Sequence, residues 1–496
     1  MQVIKETKSI CPECLKVLDA TIFEKDNNVY IKKVCPLHGK FQDVYWSDYG
    51  QYLRAEQFRC DGDGLRNPRT ITKLGCPFDC GICPQHKSHT ALAIIDITNR
   101  CNLRCPVCFA NAAAAGYVYE PSKEEVREML ENLRRNDPVP ATALQFSGGE
   151  PTVREDLLEL IRMAKELGFR HVEVNTNGLR LAQSVDYCRG LTEAGMSTLY
   201  LQFDGVTSDV YKFTRGCDLL DIKMKAIENC RKAGVDSVVL VVTLVKGVND
   251  HQIGDTIRFA VQNFDVVRCV NVQPVSLCGR IPEGEREKMR ITIPDFMKLC
   301  EEQTDGGIKV SDFYPVPTVV PVARAVGALK KRRYVEFTAH PHCGMATYVF
   351  VEKGKMVPIT HYGDVEKFMK AMGKVYEEAV KGHEKRAKLR LVGALRHVKW
   401  GFLRRYVWPI LKTGTYEALG SLHMKMLMVS AMHFMDPYNF DLERVQRCCI
   451  HYAVPDGRII PFCTMNSIHR AKVEEGLGIP LDEWRKRHKE EVSAVV

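Results

Sequence analysis

Cys101-Asn-Leu-Arg-Cys105-Pro-Val-Cys108-Phe109 follows directly on the apolar run Ala91-Leu-Ala-Ile-Ile-Asp-Ile97. A strand that runs into three cysteines at C-x3-C-x2-C spacing delivers three thiolates to one sheet edge. Three thiolates hold three irons of a 4Fe–4S cube and leave the fourth iron without a protein ligand. An open iron suits a catalytic cluster, whereas an electron carrier has no need of one. A structural zinc loop or a ferredoxin-like relay draws on the same thiolates, so the stretch has to be read with its surroundings.

The surroundings alternate strand and helix. From Ala91 to about Pro274, apolar runs predict strands over 91–97, 142–146, 171–175, 198–203, 237–245 and 266–273. Amphipathic stretches predict helices over 122–135, 155–167, 183–194, 219–233 and 250–263. Six β-α units in series predict a parallel sheet with right-handed crossovers, curved into a partial (β/α)6 barrel. In such folds the working residues gather at the C-terminal ends of the strands. Those ends carry Ser147-Gly148-Gly149-Glu150-Pro151, Asn175-Thr-Asn177-Gly178, Gln202-Phe203-Asp204-Gly205 and Asn271-Val272-Gln273-Pro274. Glycines permit close backbone approach to a ligand, and a carboxylate or amide can bond its polar groups. A plain turn uses the same residue types, Asp204 included.

The cysteine triplet, the aromatic after it and the Gly-Gly-Glu strand end about 40 residues on resemble the radical S-adenosylmethionine (radical-SAM) enzymes. The resemblance implies that Cys101, Cys105 and Cys108 carry a 4Fe–4S cluster whose open iron chelates SAM. It implies a pocket for SAM lined by Gly148, Gly149, Glu150, Asn175, Asn177, Gln202, Asp204 and Gln273. Reductive cleavage of SAM in such enzymes yields a 5′-deoxyadenosyl radical.

Twenty cysteines in 496 residues are unusual, and many stand at ligand-like spacing. With no secretory signal at the N-terminus, they predict metal binding in a reducing cytosol, not a disulfide framework. Cys11-Pro-Glu-Cys14 and Cys35-Pro-Leu-His38 form two knuckles able to close a tetrahedral site around one zinc or iron. Cys76-Pro-Phe-Asp-Cys80-Gly-Ile-Cys83 repeats the triplet spacing 25 residues upstream of the first. It predicts an auxiliary 4Fe–4S cluster, with Cys60, His86, His89, a distant cysteine or no residue as fourth ligand. Near the C-terminus, His342-Cys343 to Pro358 and Cys448-Cys449 to Cys463 each read as cysteine, strand, Gly turn, strand, Pro. Cysteines flanking a hairpin resemble auxiliary-cluster extensions, which groups Cys343, Cys448, Cys449 and Cys463 as ligands of a further cluster. Three 4Fe–4S clusters and one mononuclear site are thus expected. Isolated cysteines such as Cys188, Cys230 and Cys300 read as buried hydrophobes.

The hydrophobic content of 45% is that of an ordinary globular chain, and no uncharged apolar run reaches a membrane-spanning length. The expected organisation is a metal domain over 1–60, an auxiliary-cluster segment over 61–90, the barrel over 91–310 and a C-terminal auxiliary-cluster domain over 311–496. Within the last, residues 381–412 hold ten Lys or Arg and a single acid, with Leu391, Leu395, Val398, Phe402 and Tyr406 at helical spacing. Taken alone the stretch reads first as a core-docked helix with a solvated basic face; a basic amphipathic helix with Trp400 and Trp408 also suits an anionic membrane surface, and RNA binding is a third reading. Five methionines between Leu422 and Met435 suit either a core or a channel for alkyl chains.

Taken over the whole chain, these motifs resemble the archaeal tetraether lipid synthase family. That resemblance implies coupling of terminal methyl carbons of diether phospholipid chains by hydrogen abstraction, with an intermediate held on an auxiliary cluster. It implies a diether phospholipid substrate, an electron donor such as ferredoxin, a cytoplasmic location with peripheral membrane contact, and no nucleic-acid partner. A radical-SAM methyltransferase acting on a pterin is the alternative, and an iron–sulfur electron carrier the alternative of another class.

Overall fold

The computed structural model describes residues 1–281, 283–352, 355–408 and 424–487. At the N-terminus four antiparallel strands form one sheet in chain order: β1 (Gln2–Ile10), β2 (Val17–Lys25), β3 (Asn28–Cys35) and β4 (Gly39–Trp46). Alternation puts Ala20, Ile22, Val29 and Ile31 on one buried face. Both knuckles of the Cys11 and Cys35 motifs sit at the same end of this sheet, because β1 ends where the first begins and β3 ends within the second.

The barrel follows as expected. Strands β5 (Leu92–Thr98), β7 (Ala143–Gly148), β8 (His171–Thr176), β9 (Thr198–Gln202), β10 (Val238–Leu244) and β11 (Val267–Pro274) pair in parallel in that order. Between β5 and β7 lies the two-residue β6 (Tyr117–Val118), which pairs outside the sheet with β18 (Ile479–Pro480). Crossover helices are amphipathic; in Lys123–Arg134, Ser122 and Glu125 close a capping box while Val126, Met129, Leu130 and Leu133 face the sheet. Two short barrel helices escaped the sequence pattern, Leu179–Gln183 and Ser208–Arg215, because five and eight residues give no more than about two turns of periodicity.

Less expected is what the C-terminal segment does. It adds a strand to each edge of the six-stranded sheet: β15 (Met426–Met432) runs parallel to β11, and β16 (Ile450–Ala453) parallel to β5. Beyond them, β13 (Gly344–Glu352) is antiparallel to β15 and carries β12 (Tyr314–Pro315) and β14 (Lys355–Pro358), while β17 (Ile459–Pro461) is antiparallel to β16. The methionine-rich run is therefore the core strand β15, with Leu427, Val429 and Ala431 in the main core and Met426 packed on Phe350, Phe402 and Tyr406. Strand alternation buries the described residues of β15 in apolar layers on both faces, so they pack as core. Leu422 and His423, with 409–412 of the basic run, lie outside the described residues. The basic run forms the helix Glu384–Ala394, whose Ala387, Leu391 and Ala394 pack on the helices Val320–Lys330 and Val365–Val380. Leu389, Val392, Trp400 and Trp408 are exposed. Among the described residues no helix is long and apolar enough to cross a membrane.

A buried polar seam fastens the N-terminal sheet to the segment after β15. Arg290 bridges Asp43 and Asp436 at 2.7 Å each, all three under a tenth exposed. Lys33 Nζ donates to Ser9 Oγ at 2.9 Å and to the Pro437 carbonyl at 2.6 Å, while Tyr45 donates to Asp441 at 2.8 Å. Removing one member of a buried ion pair strands the other charge, at about 3–5 kcal/mol. Arg290→Met is expected to lower stability by about that amount, read as a shift of the urea midpoint of the metal-free chain. An unchanged midpoint would show that the seam does not hold the sheet.

Candidate active site and metal centres

The cysteine loop after β5 is clamped at both ends by backbone contacts that only glycine allows. At one end, Gly148 (φ +130°) and Gly149 bring the end of β7 against Thr98–Arg100, with Gly149 N donating to Thr98 O at 2.7 Å and Glu150 N to Arg100 O at 2.9 Å. A Cβ on Gly148 would stand 2.0 Å from the Thr98 carbonyl oxygen, and one on Gly149 2.3 Å from that of Arg100. At the other end Gly279 (φ +68°) lies on Cys108 and Phe109, and Arg280 N donates to Cys108 O at 3.0 Å. The Gly-Gly pair thus serves first to seat the loop.

Cys101, Cys105 and Cys108 line a cleft at the C-terminal ends of the strands, with an empty volume of about 1330 Å³, its open mouth included. Burial pushes the Cys101 thiol well above its usual range, with the charge of Glu150 adding to the effect. Burial likewise raises Cys105, opposed by the positive charge of the nearby Arg215 guanidinium. Thiols so placed become thiolates when a metal supplies the opposing charge. The donor set therefore fits a cluster with three protein ligands.

Gly148, Gly149, Glu150, Asn175, Asn177, Gln202 and Gln273 all line this cleft; Asp204 does not. Glu150 is nearly spent within the chain: Oε1 accepts from Thr152 N (3.1 Å), Thr152 Oγ1 (2.6 Å) and Thr176 Oγ1 (2.7 Å), and Oε2 from Asn177 N (2.7 Å). Burial raises its pKa against these donors. It ties the end of β7 to the end of β8, and Asn177 in turn donates to Asn102 of the cysteine loop at 2.7 Å. Asp204 lies beneath the wall, held by Arg215 through two contacts of 2.6 and 2.8 Å and by Thr214 at 2.7 Å. Against the effect of burial, Arg215 keeps its carboxyl below the ordinary range. The residue that reaches the cleft is Arg215, from one of the helices missed in the sequence; a lone acid at a strand end was the only signal that a cation had to be near. Tyr200, Arg280 and the aromatic group Phe434, Tyr452 and Phe462 also line the cleft.

The other cysteines fall into three places. Cys11, Cys14, Cys35 and His38 offer ligand atoms within 4.8 Å of one another. Cys14 Sγ to Cys35 Sγ is 3.9 Å, and His38 Nδ1 is 3.5 Å from both Cys11 and Cys35, close to the edges of a tetrahedron with metal–sulfur bonds of about 2.3 Å. Although burial opposes it, the Leu37 amide and His38 lower the Cys35 thiol to about 6, favouring the thiolate a metal needs. Cys76, Cys80 and Cys83 surround a small hollow that His86 also lines. His86 Nε2 is taken by the Cys448 carbonyl at 2.7 Å and His89 Nε2 by Glu336 N at 2.7 Å, while Cys60 neighbours Arg324, Glu336 and Asp61. His469, not singled out in the sequence, lies beside Cys80, with its Nε2 3.0 Å from the Pro77 carbonyl oxygen. Cys343, Cys448, Cys449 and Cys463 are brought close enough for the charge of Cys343 to act on each of the other three. Arg444, fully buried, lies near Cys343 and donates to the His433 carbonyl at 2.8 Å.

Residues 95–260 match the radical-SAM superfamily, and residues 3–47 the HMPTM N-terminal zinc ribbon domain. Over 500 aligned residues, 98% of each chain, the protein is 51% identical to the 7,8-dihydro-6-hydroxymethylpterin dimethyltransferase of Methanocaldococcus jannaschii. The chain belongs to the family of that dimethyltransferase. It is also 29% identical over 42% of its length to 66% of a probable GTP 3′,8-cyclase of Methanothermobacter marburgensis. Streptococcus suis SuiB aligns with 44% of the chain and 47% of its own at 20% identity and a TM-score of 0.36. A radical-SAM enzyme with a 4Fe–4S cluster, SAM and a further metal at its N-terminal zinc ribbon follows from membership in the dimethyltransferase family. The same membership overturns the expectation of a tetraether lipid synthase with a diether phospholipid substrate. The two features that had suggested a lipid, the methionine run and the basic helix, are a core strand and a helix docked by its apolar face.

Cys14→Ser is expected to remove one metal ion per chain without changing the iron and sulfide bound elsewhere, read by elemental analysis. A variant with all of its metal would mean that Cys14 is not a ligand.

Proposed function

We propose that this chain is a radical-SAM methyltransferase acting on a reduced pterin, 7,8-dihydro-6-hydroxymethylpterin or a close analogue. The observation that carries this reading is the 51% identity to the dimethyltransferase, spread over 98% of both chains. The cleft supports it. Gln145, Asn175, Tyr200, Gln202 and Gln273 set amides and a hydroxyl around its floor, and Arg215 and Arg280 add two cations. Such a lining matches the donor and acceptor edges of a heterocycle and offers little to an alkyl chain. Phe462 stacks on Phe434 with ring centroids 3.8 Å apart and packs on Tyr452 at 5.4 Å, an aromatic wall suited to a flat ring.

In this reading Cys101, Cys105 and Cys108 hold the SAM-binding cluster, and Gly148, Gly149, Asn175, Asn177, Gln202 and Gln273 shape the SAM pocket. Cys76, Cys80 and Cys83 hold one auxiliary 4Fe–4S cluster, and Cys343, Cys448, Cys449 and Cys463 another. When bound, the SAM cluster supplies a 5′-deoxyadenosyl radical able to take hydrogen from an unactivated C–H bond, given electrons from an external donor. The chain's own residues orient the two substrates and keep water from the reacting carbon.

The test is an anaerobic reaction of reconstituted full-length protein with SAM, a reductant and the dihydropterin, followed by mass spectrometry. The expected product is a pterin heavier by one or two CH2 units, with 5′-deoxyadenosine formed in step. S-Adenosylhomocysteine in the same mixture would identify SAM as the methyl source. Formation of 5′-deoxyadenosine with the pterin recovered unchanged would overturn the substrate assignment. Replacing Cys101, Cys105 and Cys108 together by Ala is expected to abolish 5′-deoxyadenosine while leaving iron at the other sites.

A further inference from the structure

Lys223 stands at the inner end of the helix Leu220–Ala233, fully buried, and none of the readings above gives it a task. Its Nζ donates to Gln202 Oε1 at 2.7 Å and to the backbone carbonyl of Asn177. The ring of Tyr211 lies below it, 5.9 Å from Nζ to centroid. Gln202 and Asn177 end adjacent strand units of the barrel, β9 and the turn after β8, and both line the SAM cleft.

The chemistry of the pair removes an ambiguity. An ammonium group only donates, so the side-chain atom of Gln202 that faces Lys223 has to be the oxygen. The amide nitrogen must then point the other way. That nitrogen, Nε2, is buried and has no hydrogen-bond partner in the chain. Buried N–H groups without a partner are uncommon in folded proteins, and one on a residue that lines a cleft is open to completion by a ligand acceptor. Burial and the nearby Arg215 charge bring the Lys223 pKa down to about 7, against the pull of Asp204 and Glu150, so below that pH the group is the ammonium whose N–H bonds run to the two oxygens.

We infer that Lys223 is a positioning residue for SAM: it locks the Gln202 amide so that Nε2–H faces the cleft and donates to an acceptor atom of bound SAM. Lys223 does not touch SAM itself and acts through Gln202 and the Asn177 backbone. The inference rests on SAM occupying the cleft and is independent of which second substrate the enzyme takes.

The test is equilibrium dialysis of SAM against the reconstituted full-length protein, with iron, sulfide and the spectrum of the reduced cluster recorded for each variant. Lys223→Met and Gln202→Leu are each expected to weaken SAM binding about tenfold, the value of one hydrogen bond lost to a ligand. The double variant should be no weaker than Gln202→Leu alone, because the two side chains act through one bond. Effects that multiply, or a Lys223→Met protein that binds SAM as the wild type does, would overturn the inference. Gln202→Glu provides a route that keeps Lys223 in place. The new carboxylate still accepts from the ammonium but has no N–H to offer, so SAM affinity should fall as in Gln202→Leu. Wild-type affinity in that variant would also overturn the inference. Failure of the wild-type protein to bind SAM would instead sink the cleft assignment on which the inference stands.

Discussion

The site depends on how closely two strand ends approach a loop. Cys101, Cys105 and Cys108 sit in a segment with no regular structure, and three thiols on a free loop would scatter. What holds them is backbone packed on backbone: Gly148 and Gly149 on Thr98–Arg100, and Gly279 on Cys108–Phe109. Distances of 2.0–2.5 Å from a hypothetical Cβ to these carbonyl oxygens leave no room for any side chain. The entropy cost of ordering the loop is met by the rigidity of β7 and the turn after β11 before any metal arrives. Metal binding then meets a loop already held in place.

A second tier of polar contacts keeps this arrangement from shifting. Two of the four hydrogen bonds that Glu150 accepts, from Thr176 and Asn177, join the end of β7 to that of β8, and Asn177 reaches back to Asn102 inside the cysteine loop. Asp204 is spent on Arg215, which is thereby aimed at Cys105. In each case a carboxylate at a strand end works through a neighbour. Asp204 and Arg215 are paired in the interior, which offsets the cost of burying either charge alone.

The metal centres share one apolar body. A single cluster contains Ile10 beside Cys11, Cys80, Met435 and Cys463, with Cys76, Cys448 and Phe109 beside Cys108 packed against it. The buried seam through Arg290, Asp43 and Asp436 adds a polar clasp between the N-terminal sheet and the segment that follows β15. All four cysteine sets are therefore parts of one packed unit, although they come from residues 11 to 463.

Much of this was legible in the residues. Strict alternation of apolar runs with amphipathic stretches placed six strands and five helices within a residue or two, because period and length are local properties. The C-x3-C-x2-C loop after β5 pointed to 4Fe–4S chemistry, and the two knuckles to a further metal, because ligand spacing is local as well. Long-range pairing was not legible. Nothing in the run from Met424 to Met435 says whether it lines a channel or becomes β15 at the edge of the barrel, since a buried strand and a lipid-facing surface use the same side chains. Nor could Asp204 announce that it serves Arg215, eleven residues on, or Gln202 that Lys223 stands behind it. Composition and spacing determined the fold class and the kinds of metal site. Only the tertiary structure decided which polar atoms are spent on the chain and which are left for a ligand, because that depends on what each strand end meets in space.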